Sequence, residues 1–161
     1  MSSQWEAMAN CRYIQTNTQG RSANRNGLSQ LASGAFLLFL DADALPGSAD
    51  FLSSYCNEAK GADVIVGGTA YRPGYKNKEL RVRVGKQKEE IQAAIRKQQP
   101  YSSFTAFNFL IRKPLFDQIL FSEQLVEYGH EDTLFGLELK YRHAKIAHID
   151  NPAFHMGIDS G

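Results

Sequence analysis

Six apolar residues in a row, Ala35-Phe36-Leu37-Leu38-Phe39-Leu40, end abruptly in Asp41-Ala42-Asp43. A continuous apolar run of that length is the pattern of a strand covered on both faces, and such strands belong to α/β sheets flanked by helices. Ligands of open α/β sheets bind beyond the carboxyl ends of the strands, so two carboxylates at that end fall where chemistry is done. Residues two apart in an extended segment point to one side, so Asp41 and Asp43 can converge on one cation. Oxygen donors in that number suit Mg²⁺ or Mn²⁺ bound with a diphosphate better than an ion enclosed by protein. An acidic turn closed by Pro46-Gly47 accounts for the same residues with no ligand at all.

Strand and helix patterns alternate on either side of this junction. Cys11 to Thr16 has strand character. A helix is expected over 22–33, capped by Ser22, with Leu28, Leu31 and Ala32 inward and Gly34 past its end. Ser48 caps a second helix, in which Phe51, Leu52, Tyr55, Cys56 and Ala59 form a 3.6-period stripe stopped by Gly61. Strands follow at 63–69, 104–111 and 145–150. Pro114 opens a short helix, and a longer helix over 131–143 turns Leu134, Leu137 and Tyr141 inward. The stretch 77–98 reads as a mostly polar helix with Leu80, Val84, Ile91 and Ile95 on one side. The alternation predicts an α/β fold with parallel strands.

A chain of 161 residues that is 43% apolar makes one domain able to hold a core without disulfides. Met1 to Asn10 reads as a polar lead-in and 11–161 as the domain. Cys11 and Cys56 have neither zinc nor redox spacing, which fits a reduced, cytoplasmic setting. No apolar run approaches the about 18 residues that a membrane span requires. Lys76 to Lys97 holds eight Lys and Arg against three Glu on a chain whose net charge is only +1. The plain reading is a solvated helix face; the functional one is a basic surface meeting an anionic acceptor or the inner face of a membrane. Aromatic residues are not interleaved with these charges, which argues against nucleic acid.

A second acidic group, Glu131-Asp132 in Tyr128-Gly129-His130-Glu131-Asp132, stands at the start of a helix. Free N–H groups and the helix dipole favour charged carboxylates there, and a carboxylate ionised near pH 7 can act as a general base towards a hydroxyl. Simple capping explains the same pair. His155, in Asn151-Pro152-Ala153-Phe154-His155-Met156-Gly157, is placed in a loop after the final strand, as either a borderline ligand or a packed ring. His130, His143 and His148 have no ligand spacing, and the last two read as surface or sheet residues.

Gly20-Arg21-Ser22-Ala23-Asn24-Arg25-Asn26-Gly27, then Phe39-Leu40-Asp41-Ala42-Asp43, then Gly129-His130-Glu131-Asp132, then His155 occur in an order that closely resembles family 2 glycosyltransferases of the GT-A fold. The resemblance runs from about Tyr13 to Gly157. It implies a mixed, mostly parallel sheet flanked by helices, and a nucleotide-sugar donor, a UDP-sugar above all. It also implies a divalent cation, Mn²⁺ or Mg²⁺, holding the donor diphosphate on the Asp-x-Asp motif. Asp43 is then the metal ligand, with Asp41 nearer the ribose or sugar, and His155 completes the metal shell. Arg25 and Asn26 fall on the family's Ala-Arg-Asn motif, which holds the nucleotide; Asn24 stands where the motif has Ala. Asp132 matches the base that deprotonates the acceptor in an inverting displacement, and Glu131 the acid that orients that acceptor. The implied acceptor is a saccharide or lipid-linked hydroxyl in polysaccharide or glycolipid synthesis.

Nothing in Met1 to Asn10 resembles the strand-loop-strand with which the family begins, and the chain stops soon after the His, so a partial GT-A domain is expected. Such a domain exposes a sheet edge through which copies of the chain could associate. The alternative reading keeps the fold and drops the activity: a non-catalytic module acting in binding or assembly. A haloacid-dehalogenase-type phosphotransferase also places Asp-x-Asp after an apolar strand, but generally has Thr or Val where this chain has Leu45.

Overall fold

The computed structural model describes residues 11–15, 20–72, 80–124 and 130–157. Its larger sheet contains β1 (Phe36–Leu40), β3 (Val64–Val66), β5 (Asn108–Arg112) and β6 (Ile146–His148) in the order β1-β5-β3-β6. Helices α1 (Arg21–Leu31), α2 (Phe51–Glu58), α5 (Lys113–Ile119) and α6 (Glu131–Tyr141) accompany it. The apolar runs behave as a doubly covered sheet requires. Val64, Val66, Phe109 and Ile111 enter one core with Phe116, Phe135 and Leu139, whereas Ile65 and Leu110 enter the other with Phe51 and Tyr55. Successive side chains alternate between two apolar environments, so every position of the strand is apolar.

Strand direction departs from the expected pattern. β5 runs antiparallel to both β1 and β3, and only β3 and β6 pair in parallel in this sheet. An apolar strand buried on both faces carries no mark of its direction, and the long excursion before β5 returns the chain from the opposite end. The fold is α/β with mixed sheets; the parallel share is smaller than the alternation suggested. β1 forms an edge among the described residues.

A smaller sheet was not anticipated. β2 (Ala44–Pro46) pairs antiparallel with β7 (Ala153–His155), which pairs in parallel with β4 (Thr69–Ala70). His155 therefore lies on a strand, not in a loop. Strands of two or three residues are too short to show a period, and this sheet is created by its partners.

Several local expectations shift. Residues 11–15 form no strand, and Thr16 lies outside the described residues. α1 is preceded by Gly20 at φ 93°, while Ser22 is buried within the helix and does not cap it. That helix buries Ser22, Arg25, Asn26 and Ser29 and leaves Leu28 and Leu31 exposed. Its polar face is the inner one because the groups it meets are polar: Asn26 bonds to the Phe121 backbone and Lys113 Nζ donates to the Ser29 carbonyl. α2 starts at Phe51 behind Asp50, without a side-chain cap from Ser48, and exposes Leu52 and Cys56. The stretch 77–98 contains two helices, α3 (Leu80–Lys88) and α4 (Ala93–Arg96), which bury Val82, Ala93 and Arg96 while Ile95 faces out. In α6 the inner residues are Phe135, Gly136 and Leu139; Leu134, Leu137 and Tyr141 are exposed. Gly136 is required there, since a Cβ would collide with the Tyr101 carbonyl oxygen.

Candidate active site

The end of β1 opens into a cleft of about 770 Å³ lined by Arg25, Asp41, Asp43, Glu131, Asp132 and His155. Carboxylates from the strand end and from the start of α6 thus share one concavity, although neither stretch announces the other in sequence.

Asp41 stays in register with the sheet through its N–H, which donates to the Phe107 carbonyl at 3.1 Å, and its own carbonyl accepts from Ala44 N–H at 2.9 Å. The two acids thus stand on a turn and not on the extended segment expected. Asp41 Oδ1 accepts from Arg25 Nη2 at 2.6 Å. The same guanidinium lies 5.2 Å from the centre of the Phe121 ring, a cation–π contact. Asp43 approaches β7. Its carbonyl accepts from Met156 N–H at 2.7 Å, and its Oδ2 is 3.7 Å from His155 Nε2. Pairing of Ala44 with His155 across β2 and β7 produces this approach. Gly157 lies so close to Asp43 that a Cβ would run into Oδ2.

His155 is stacked on both faces, against Phe107 at 5.3 Å and 8° and against Tyr71 at 5.7 Å and 12°. Its Nδ1 and the Nη1 of Arg25 are the buried side-chain polar atoms without a partner among the described residues. Most buried polar atoms are satisfied, so two such atoms in one cleft mark it as a place where something else binds.

On the opposite wall, His130 takes the left-handed conformation (φ 71°) and lets the chain enter α6 with Glu131 and Asp132 in its first turn. Glu131 is paired with Arg21 at 3.4 Å. Asp132 Oδ2 accepts from the Ala106 N–H at 3.0 Å. The helix start was expected to favour the charged form of Asp132. Burial instead pushes its carboxyl above the usual carboxylate range, against the Ala106 N–H and Arg25, which pull it down; Glu131 and Asp41 add to the rise. A carboxylate shifted in that direction is a better proton acceptor.

Asn26 is the predicted site residue that the fold turns away. Its amide bonds to Phe121 N–H, the Phe121 carbonyl and Glu123, which leaves it joining α1 to the segment after α5. Residues not foreseen from sequence also reach the cleft: Arg21, Thr69, Glu89, Thr105, Phe107 and Gly157. None stands in a pattern that would have singled it out, except Arg21, which belongs to the Gly20–Gly27 run, and Gly157 by its nearness to His155.

The donor set suits a cation that arrives with phosphate. Among the described residues no three His, Cys, Asp or Glu side chains are grouped to enclose a metal ion. Asp43 and His155 offer two donors, an oxygen and an imidazole nitrogen too far apart for a hydrogen bond. Ions such as Mg²⁺ commonly take one or two protein donors and complete their shell with phosphate oxygens and water.

A family model described as "Glycosyl transferase family 2" matches residues 5–120. The matched stretch begins inside the segment read as a lead-in and includes Arg25, Asp41 and Asp43; Glu131, Asp132 and His155 lie beyond it. No curated protein matches the chain. Among solved structures, S. aureus TarS 1–349 is 21% identical, with a TM-score of 0.60, over 89% of this chain and 42% of that one. The same protein in complex with UDP-GlcNAc is 20% identical, with a TM-score of 0.61, over 92% and 42%. These likenesses show the fold. The chain spans less than half the length of those structures. No helix among the described residues is long and apolar enough to cross a membrane.

Proposed function

The chain belongs to glycosyl transferase family 2, and from that membership we propose that it transfers a sugar from a nucleotide-diphosphate donor to an acceptor hydroxyl with inversion. The observation that carries this reading is the meeting of Asp41, Asp43, Glu131, Asp132 and His155 in a single cleft. A UDP-sugar fits the proposal, since the structural likeness extends to a chain in complex with UDP-GlcNAc. Asp43 and His155 would hold Mn²⁺ or Mg²⁺, which would supply positive charge to the donor diphosphate as the leaving group. Arg25 fixes Asp41 towards the ribose or sugar, and its unpartnered Nη1 is available to the nucleotide. Asp132, positioned by Ala106 N–H, takes the proton of the acceptor hydroxyl, and Glu131 orients that acceptor. The acceptor is a saccharide or lipid-linked hydroxyl of polysaccharide or glycolipid synthesis.

Calorimetry with UDP, with and without Mn²⁺, tests the reading. Binding is expected to depend on the ion and to be lost in Asp43→Asn. Equal binding with and without metal would sink it.

A further inference from the structure

An imidazole that binds a metal is ordinarily oriented by a hydrogen bond from its other ring nitrogen to a carboxylate, carbonyl or water. His155 has no such bond among the described residues: Nδ1 is buried and without a partner. Flat stacking between Phe107 and Tyr71 fixes the plane of the ring instead. Tyr71 is itself held firmly. It is 3% exposed, and its hydroxyl donates to Glu89 Oε2 at 2.5 Å. Its ring lies so close to Gly85 of α3 that a Cβ there would overlap both the ring and its hydroxyl. The proposed reaction assigns no chemistry to Tyr71, Gly85 or Glu89, yet all three support the aromatic stack around one donor atom.

We propose that Tyr71 is a positioning residue for the cation site: anchored by Glu89 and seated on Gly85, its ring clamps His155 against Phe107 and aims Nε2 at Asp43. Stacking takes the place of the hydrogen bond that is absent among the described residues, and α3 is tied to the donor site through a ring outside the cleft lining. This rests on the reading of Asp43 and His155 as cation donors.

The test is calorimetric titration of the Mn²⁺·UDP complex into the protein, arranged as a double-mutant cycle. Tyr71→Leu is expected to weaken binding about 10-fold, at the low end of losses seen behind metal ligands. In a His155→Ala background the same change is expected to have no further effect. Tyr71→Phe keeps the ring and removes the hydroxyl bond to Glu89, for an expected loss of about threefold that Glu89→Ala, which removes the acceptor, reproduces. Should Tyr71→Leu fail to fold, these two milder variants, each run with and without His155, carry the cycle. Equal losses in the presence and absence of His155, or unchanged affinity in every variant, overturn the proposal. If His155→Ala and Asp43→Asn themselves bind Mn²⁺·UDP like wild type, the cation reading has failed, and the proposal falls with that separate signature.

Discussion

Two regions of this molecule each set an arginine beside or near a histidine with buried ring or guanidinium nitrogens, and they do opposite things with them. At the ends of β3 and β6, the Arg96 guanidinium donates to the carbonyls of Ile91, Val66, Gly67 and Ile149 and meets His148 Nδ1 at 3.0 Å. His148 Nε2 in turn donates to the Pro100 carbonyl at 2.9 Å, so both ring nitrogens are used and the ring is neutral. Burial lowers the His148 pKa in keeping with that state. In the cleft, by contrast, Arg25 and His155 each keep a buried nitrogen without a partner among the described residues, and acidic groups crowd around them. A saturated polar cluster fixes α4 and the strand ends to one another. An unsaturated one costs stability and persists where a ligand supplies what is missing.

The largest expected effect tests the saturated side. Arg96→Ala strips donors from four carbonyls, and a loss of about 3–5 kcal/mol is expected in urea denaturation. Arg25→Ala should cost far less while weakening UDP binding. If the two cost the same, the contrast between the regions is void.

Asp132→Asn comes next. It should lower the transfer rate by about 10²–10⁴-fold, the usual contribution of a general base. Because the folded carboxyl holds its proton more tightly than the unfolded one, stability is lost as pH rises from the ordinary carboxylate range through the raised value. The variant should therefore be more stable than wild type at pH 7, with the gap closing as pH falls; a variant less stable at pH 7 would contradict the assignment. The rate of the wild type should rise with pH through the same window.

A smaller change sharpens the comparison at a single atom. Gly157→Ala pushes against Asp43 Oδ2, so Mn²⁺-dependent UDP affinity should fall about 10-fold, the scale of a disturbed metal support. The urea midpoint should hardly move, which separates damage to the site from damage to the fold.

The smallest effect belongs to His148. Its depressed pKa means that stability present above the ordinary histidine range is lost as pH falls through it. His148→Gln should flatten the dependence of unfolding free energy on pH between about 7 and 5, where one histidine contributes at most about 1.4 kcal/mol per pH unit.

Much of the main sheet was legible from residues alone. Phe36–Leu40 and Val64–Val66 are apolar at every position because both faces of the sheet are covered. The acids after β1 and at the start of α6 stood out as breaks in those patterns. Helix faces were less legible. α1 hides a polar face against polar partners, and α6 hides Phe135 and Gly136 while Leu134, Leu137 and Tyr141 face solvent. In α1 the inner face is polar because its surroundings are, whereas α6 carries apolar residues on both faces, so the period alone does not choose between them.

The order of residues by itself determined which segments become the principal strands and where carboxylates interrupt them, because burial on both faces writes an unbroken apolar run into a strand. Only the tertiary structure decided that β5 runs against its neighbours, that β2, β4 and β7 form a second sheet, and that His155 and Asp132 close around the acids of β1. Those outcomes depend on pairing between distant segments, and the spacing of neighbouring residues does not encode the direction or register with which distant strands meet.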